Sequence, residues 1–235
     1  MNIKGKYIVE CFWNAVAYIP TTFYIAALVL LIGFVFGSVI AILRTNRVKV
    51  ISPLLDIYVI VFKAVPVNLI IIASSLVFTT QFNTVAEALN LSIRVRDIKT
   101  LYIGVFALSF PCIAQLSENI RGALLSISKG QFEAGYTVGL TEFQTFRRII
   151  FPQLMLVLLP TLTGTIIGTI KVTSLVILIG VVDILNGALK YANAAYCFFE
   201  AYLAAALVYW IFSLIIQFIG KAIEKKMSKY RRELA

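Results

Sequence analysis

The sequence predicts an all-α, polytopic membrane protein with about five transmembrane helices. Three observations carry this. Hydrophobic residues make up 60% of the 235-residue chain and charged residues only 14%, with a mean hydropathy of +0.93; soluble domains are roughly half apolar and a quarter charged. Apolar runs long enough to cross about 30 Å of hydrocarbon recur along the chain. Basic residues gather in alternate connections between them, at Arg44, Arg47 and Lys49, at Lys129, Arg147 and Arg148, and in the tail, as the positive-inside rule requires, although the basic count of 79–100 (Arg94, Arg96, Lys99) mildly conflicts with it.

Residues 1–18 read as an interfacial helix, with Tyr7, Ile8, Cys11, Phe12, Ala15 and Tyr18 on one face against the outer interface. Glu10 and Asn14 break the apolar run, so a cleaved signal peptide is not expected. Membrane spans fill 19–219. The first, Ile19–Leu43, carries Gly33-x-x-x-Gly37, a spacing that permits close helix approach. Arg44, Arg47 and Lys49 follow it and mark a cytoplasmic turn, which puts the N-terminus outside. Pro53–Phe78 is the second span, interrupted by Lys63 and Pro66; residues 79–100, of mixed charge, read as an outer loop with short helical character. Leu101–Ala123 is the third span, with Pro111, Gln115 and Glu118 inside it. Ile149–Ile170 is the fourth, with Pro160 and Gly164-x-x-x-Gly168. The apolar part of 171–196, Leu175–Leu185, is too short to cross alone and reads as re-entrant or interfacial. Phe198–Ile219 is the fifth span. The basic tail, 220–235, with Lys221, Lys225, Lys226, Lys229, Arg231 and Arg232, then ends in the cytoplasm. No repeat or linker divides the chain, so 1–235 is one domain.

One polar stretch interrupts this pattern. Residues 128–148 read as two short cytoplasmic helices. Ser128 and Gln131 have capping-box spacing, and Thr141 and Gln144 repeat it. Gly139 falls between, where a helix end needs tolerance of positive φ. Phe132, Tyr136, Phe143 and Phe146 are aromatic knobs among charges.

Glu133-Ala134-Gly135, then Gly139, then Pro152-Gln153 resembles the EAA loop of bacterial ABC importer permeases. The likeness extends to Glu118-Asn119-Ile120-Arg121-Gly122-Ala123, to Ser128–Ala134, to Gln144–Gln153 and to Lys171-Val172-Thr173-Ser174-Leu175, a pattern similar to that of polar amino-acid permeases. The resemblance implies a type I ABC importer-like membrane domain in a bacterial inner (plasma) membrane. It implies that Glu133, Ala134, Gly135, Gly139, Leu140, Phe143 and Arg147 couple to separate ATPase subunits, which bind ATP and Mg. It also implies a second permease copy or homologue, and an extracytoplasmic substrate-binding protein that delivers the amino acid.

Six residues are candidates for contact with substrate: Lys63, Gln115, Glu118, Lys171, Thr173 and Ser174. An ionisable group at membrane depth is costly unless paired or wetted, which makes Lys63 and Glu118 informative. Lys63 can hold a carboxylate, or can snorkel as a structural lysine. Lys63-Ala64-Val65-Pro66-Val67 resembles the family's Arg-Gly-Thr-Pro element with three substitutions. Glu118 can face an ammonium group or pair with Arg121 three residues on. Gln115 stands where the family often has Tyr, and can tune selectivity or bond between helices. Lys171, Thr173 and Ser174 follow the fourth span, where a helix break offers donors and acceptors to an amino-acid head group, or where a hydroxyl caps the next helix. Val172 stands where the family frequently has Asp, which turns the expectation from cationic substrates towards cystine, glutamine or another zwitterion.

Other classes fit poorly. The formal charge of +10 sits in turns and tail next to spans, at headgroup level, with no nucleic-acid motif. The sequence has no His and no Gly-x-x-x-x-Gly-Lys-[Ser/Thr] loop, so neither a catalytic triad nor the ATPase is expected, and no cofactor is expected in this chain. Cys11, Cys112 and Cys197 have no metal-binding spacing and read as small apolar packing residues. The alternative to an importer subunit is a channel or secondary transporter. A channel would spread polar residues along several spans, and a secondary transporter usually shows a repeat.

Overall fold

The structure, a computed structural model, describes residues 4–232, with side chains to residue 228. Residues 1–3 and the end of the basic tail (the side chains of Lys229, Arg231 and Arg232, and all of 233–235) lie outside the described residues. In chain order the helices are α1 (Gly5–Val16), α2 (Ile19–Thr45), α3 (Ile51–Ala64), α4 (Val67–Ala88), α5 (Thr100–Leu125), α6 (Lys129–Thr137), α7 (Glu142–Thr145), α8 (Phe151–Val172), α9 (Ile184–Ala195) and α10 (Phe198–Arg232). Five of the helical stretches among the described residues are long and apolar enough to cross a membrane.

The most closely joined pair is α2 and α5, which run parallel. Glycine makes their approach possible. A Cβ on Gly33 would lie 2.6 Å from Cys112 Sγ and 2.9 Å from Leu116 Cδ1, and one on Gly37 3.1 Å from the Ile113 carbonyl oxygen. A side chain at either position would push α5 away, so the Gly33-x-x-x-Gly37 spacing is a contact face in this chain. Around it Ile25, Val29, Leu108 and Leu116 form a fully buried cluster with Ile71 of α4 and Val176. At the other end Ala41, Ile120 and Ala123 meet Leu154 and Leu158 of α8, which runs antiparallel to α5.

The expected second span is two helices. Val65 and Pro66 are extended (ψ 130° and 133°), and α3 and α4 meet there. Pro66 has no N–H, so the Phe62 carbonyl loses its usual partner four residues on. Both helices follow α5: Phe62 stacks on Phe110 with ring centroids 5.0 Å apart, and Phe78 packs on Phe106. The short helical character expected in 79–100 is there, but its first part is a continuation of the membrane helix, since α4 runs to Ala88, and a short 3₁₀ turn follows at Val95–Asp97. The Thr79 and Thr80 hydroxyls donate back to the Ser75 and Leu76 carbonyls. Polar side chains of this kind are absorbed by a helix that Gly or Pro would end.

The re-entrant expectation for 171–196 resolves into a tight 3₁₀ coil, Thr173–Ile179, which ends at Gly180 (φ +79°) and leads to α9. The coil packs on α4, α5, α8 and α9, and Val176 at its centre is fully buried. Non-α backbone at membrane depth needs such cover. Asp183, also buried, caps α9 by accepting from the Asn186 N–H and takes a hydrogen bond from Tyr209 Oη at 2.6 Å. The α1 expectation needs one correction. Its apolar face packs on α9 and α10 within the protein, with Cys11 and Ala15 fully buried, so protein rather than lipid covers it.

Candidate functional site

A cleft of about 600 Å³ opens between the α3–α4 junction, α5 and α8. Its polar groups come from three helices. Gln115 Nε2 donates to Asn119 Oδ1 at 2.9 Å, and Asn119 Nδ2 donates to Thr165 Oγ1 at 2.8 Å, so an amide–amide–hydroxyl chain crosses from α5 to α8. Lys63, from the last turn of α3, lines the cleft and has no hydrogen-bond or ion-pair partner among the described residues. Gly164 and Gly168 also line it, and a Cβ on either would meet nothing within 4 Å. These glycines therefore widen the cleft and do not bring helices together. The lining holds one cation and no acid. Such a site offers a positive charge to a carboxylate and neutral amides and hydroxyls to other polar groups.

Of the sequence candidates, Lys63 and Gln115 come together here, with Val172 beside them. The other four stand elsewhere. Glu118 accepts from Arg44 Nη1 at 2.5 Å, and Arg44 Nε donates to Asp56 Oδ1 at 2.6 Å. The expected Glu118–Arg121 pair is thus replaced by a triad joining α2, α3 and α5. The reason is reach: Arg44, in the last turn of α2, lies where the chain folds back beside the C-terminal half of α5. Thr173 is fully buried and donates to the Ile170 carbonyl, and Ser174 donates to the Lys171 carbonyl, so both hydroxyls serve the helix break. Lys171 is exposed and does not line the cleft. Sequence reasoning missed Asn119 and the α8 hydroxyls Thr161, Thr165 and Thr169, all of which line it. The signal was present: Asn119 lies one turn after Gln115, and the three threonines recur every four residues on one helical face.

The polar stretch forms an elbow. The Thr141 side chain accepts from Gln144 N–H at 3.3 Å while Gln144 Oε1 accepts from Thr141 N–H at 3.0 Å, the expected reciprocal cap. Ser128 makes no such bond; α6 starts without a side-chain cap, a correction to the expected first box. Gly139 has φ +79°, as the chain reversal between the helices needs. Gly135 is buried because α7 lies on it, and a Cβ there would stand 2.6 Å from Thr145 Oγ1. Gln153 Nε2 donates to Gln131 Oε1 at 3.0 Å and ties α6 to α8. On this clamp Glu133, Ala134 and Arg147 are exposed, Leu140 is half-buried, and Val138 and Phe143 keep 72% and 70% of their surface exposed. A five-residue π turn, Phe146–Ile150, joins α7 to α8 without a break.

Two comparisons of sequence and one of structure bear on this arrangement. Residues 33–229 match the family described as binding-protein-dependent transport system inner membrane component. The chain is 31% identical to the probable amino-acid permease protein YxeN of Bacillus subtilis, with 97% of each chain covered. It is 29% identical to the L-cystine transport system permease protein TcyL of the same organism, over 97% of this chain and 92% of that one. The fold matches the crystal structure of an amino acid ABC transporter with histidines at a TM-score of 0.78, over 96% of this chain and 100% of the other, with 23% sequence identity. With five apolar helices, the coil and elbow in place and the family matched along most of its length, the chain belongs to the binding-protein-dependent transport system inner membrane components, the multi-pass permeases of ABC importers.

Proposed function

We propose that this chain carries polar, zwitterionic amino acids, with cystine and glutamine as the leading substrates, through an ATP-driven importer powered by an ATPase docked on the elbow. The observation that carries the proposal is continuity. Elbow and cleft wall belong to one helical stretch, Glu142–Ile179, with Phe143 exposed at one end and Thr161, Gly164, Thr165 and Gly168 lining the cleft further along. A displacement of the elbow is therefore a displacement of the cleft wall. Two ATPase subunits bind ATP and Mg and close on one another; each grips an elbow, on this chain and on a second copy or homologue. The pathway switches between inward- and outward-facing states, and ATP drives the switch because it favours one of them. An extracytoplasmic binding protein supplies substrate at the outer face, where the N-terminus lies, and the C-terminal tail lies in the cytoplasm.

The cleft chemistry supports the substrate class. Lys63 takes the carboxylate. The Phe62 carbonyl, without its helical partner, accepts from the ammonium group, and Gln115, Asn119 and Thr165 bond to a polar side chain. With no acid in the lining, a net positive charge on the substrate would stand beside Lys63 uncompensated. The test is ATP hydrolysis by the assembled importer with its binding protein, measured across amino acids. Stimulation by cystine or glutamine is expected, and stimulation by lysine or arginine alone would overturn the substrate class.

A further inference from the structure

A second polar recess, of about 310 Å³, lies at the turn between α2 and α3 and shares no lining residue with the cleft. Four cations line it, Arg44, Arg47, Lys49 and Arg121, against one acid, Asp56. Arg44 is neutralised by Asp56 and Glu118. Arg121 is different. Its Nε is buried with no hydrogen-bond partner, and the acid three residues before it is already held by Arg44. A buried guanidinium N–H without an acceptor is costly in a native fold, and an external acceptor is the usual resolution. Arg47 and Lys49 add exposed charge at the rim.

We infer that this recess binds the phosphate of an anionic membrane phospholipid. The chemistry points to phosphate because guanidinium groups meet phosphate oxygens in a paired geometry, and because the uncompensated charge is positive. The first turn of α3 adds no donors: Ile51 and Ser52 N–H bond to the Lys49 and Val48 carbonyls, and Pro53 has no N–H. The charge that meets the anion is that of the side chains. The source is lipid because of what surrounds the recess. Ile42 on α2 and Val50, Ile51 and Leu54 at the start of α3 are exposed apolar residues on the same two elements. The recess thus sits where apolar helix surface gives way to a basic turn, the depth at which headgroups lie and acyl chains begin. The turn is held in a fixed shape, with Arg47 at φ +49° and Val50 at φ +68°, and Ile51 N–H closes a three-residue turn onto Lys49. Bound lipid would brace α2, α3 and α5 where they meet, since Arg44 and Arg121 belong to α2 and α5.

The test is native mass spectrometry of the purified full-length chain in detergent, titrated with phosphatidylglycerol, phosphatidylcholine or inorganic phosphate. Phosphatidylglycerol adducts are expected to outlast phosphatidylcholine adducts and to weaken about tenfold in Arg121→Gln, the loss of one charge-assisted contact. Lys49→Gln, an exposed side chain whose loss leaves packing alone, should weaken them in the same direction. Equal retention of the two lipids, or unchanged phosphatidylglycerol binding in both variants, would overturn the inference. Displacement of phosphatidylglycerol by inorganic phosphate at equal concentration would keep the phosphate site but overturn lipid as its source.

Discussion

Arg44 shows how much one side chain can fix. Its side chain is only 8% exposed, and it binds carboxylates from two other helices. Breaking a buried pair costs several kcal/mol, but Asp56 and Glu118 are 49% and 32% exposed, so solvent screens the loss. Arg44→Gln is expected to destabilise the detergent-solubilised protein by about 2 kcal/mol, read as a lowered Tm. No loss in Tm would remove the triad from the account of the fold. Asp183 makes a complementary case at the other end of the chain. Its buried side chain accepts from both the Asn186 N–H and Tyr209 Oη. Asp183→Ala leaves both donors unpaired and is expected to cost on the order of 1–3 kcal/mol, read in the same Tm measurement. An unchanged Tm would contradict the assignment. The sequence showed neither role, because both depend on partners more than twenty residues away or on other helices.

At the scale of elements, what could be read in advance was local and periodic. Four of the five spans lie where apolar runs place them, and the Gly33–Gly37 face and the Thr141–Gln144 cap follow from spacing alone. What could not be read was where helices stop for reasons of packing. The α3–α4 break was visible as Pro66, but the continuation of α4 to Ala88 was hidden by polar residues whose hydroxyls bond within the helix. The elbow tests this distinction. Gly139 is required for its φ alone, since a Cβ there meets nothing, whereas Gly135 is required for space against Thr145. Gly135→Ala is expected to cost on the order of 1–3 kcal/mol locally and to loosen α6 from α7. Thr145→Ala in the same chain should recover part of that loss, because it removes the two nearest atoms. Co-purification of the ATPase reads both effects. Equal losses in the single and double variants would contradict the clamp.

For the whole molecule, the family features of the sequence pointed to the power source more clearly than to the cargo. The EAA-like stretch was legible because its residues sit close together in the chain. The cleft draws on α3, α5 and α8, and only Lys63 and Gln115 among its polar residues stood out beforehand; Asn119 and the threonines needed the α5–α8 contact to give them meaning. The central claim is that elbow and cleft wall form one rigid unit, so that docking at one end drives exchange at the other. Two substitutions separate the ends without touching the core. Phe143→Ser removes an exposed knob at the elbow, and Gly164→Leu fills open space in the cleft. The decisive measurement is ATP-driven amino-acid uptake by proteoliposomes of the assembled importer, with retained ATPase quantified in the same samples. The account predicts that Phe143→Ser loses both ATPase and uptake, while Gly164→Leu keeps the ATPase and loses uptake. Undiminished uptake in either variant, with the protein folded, would contradict it.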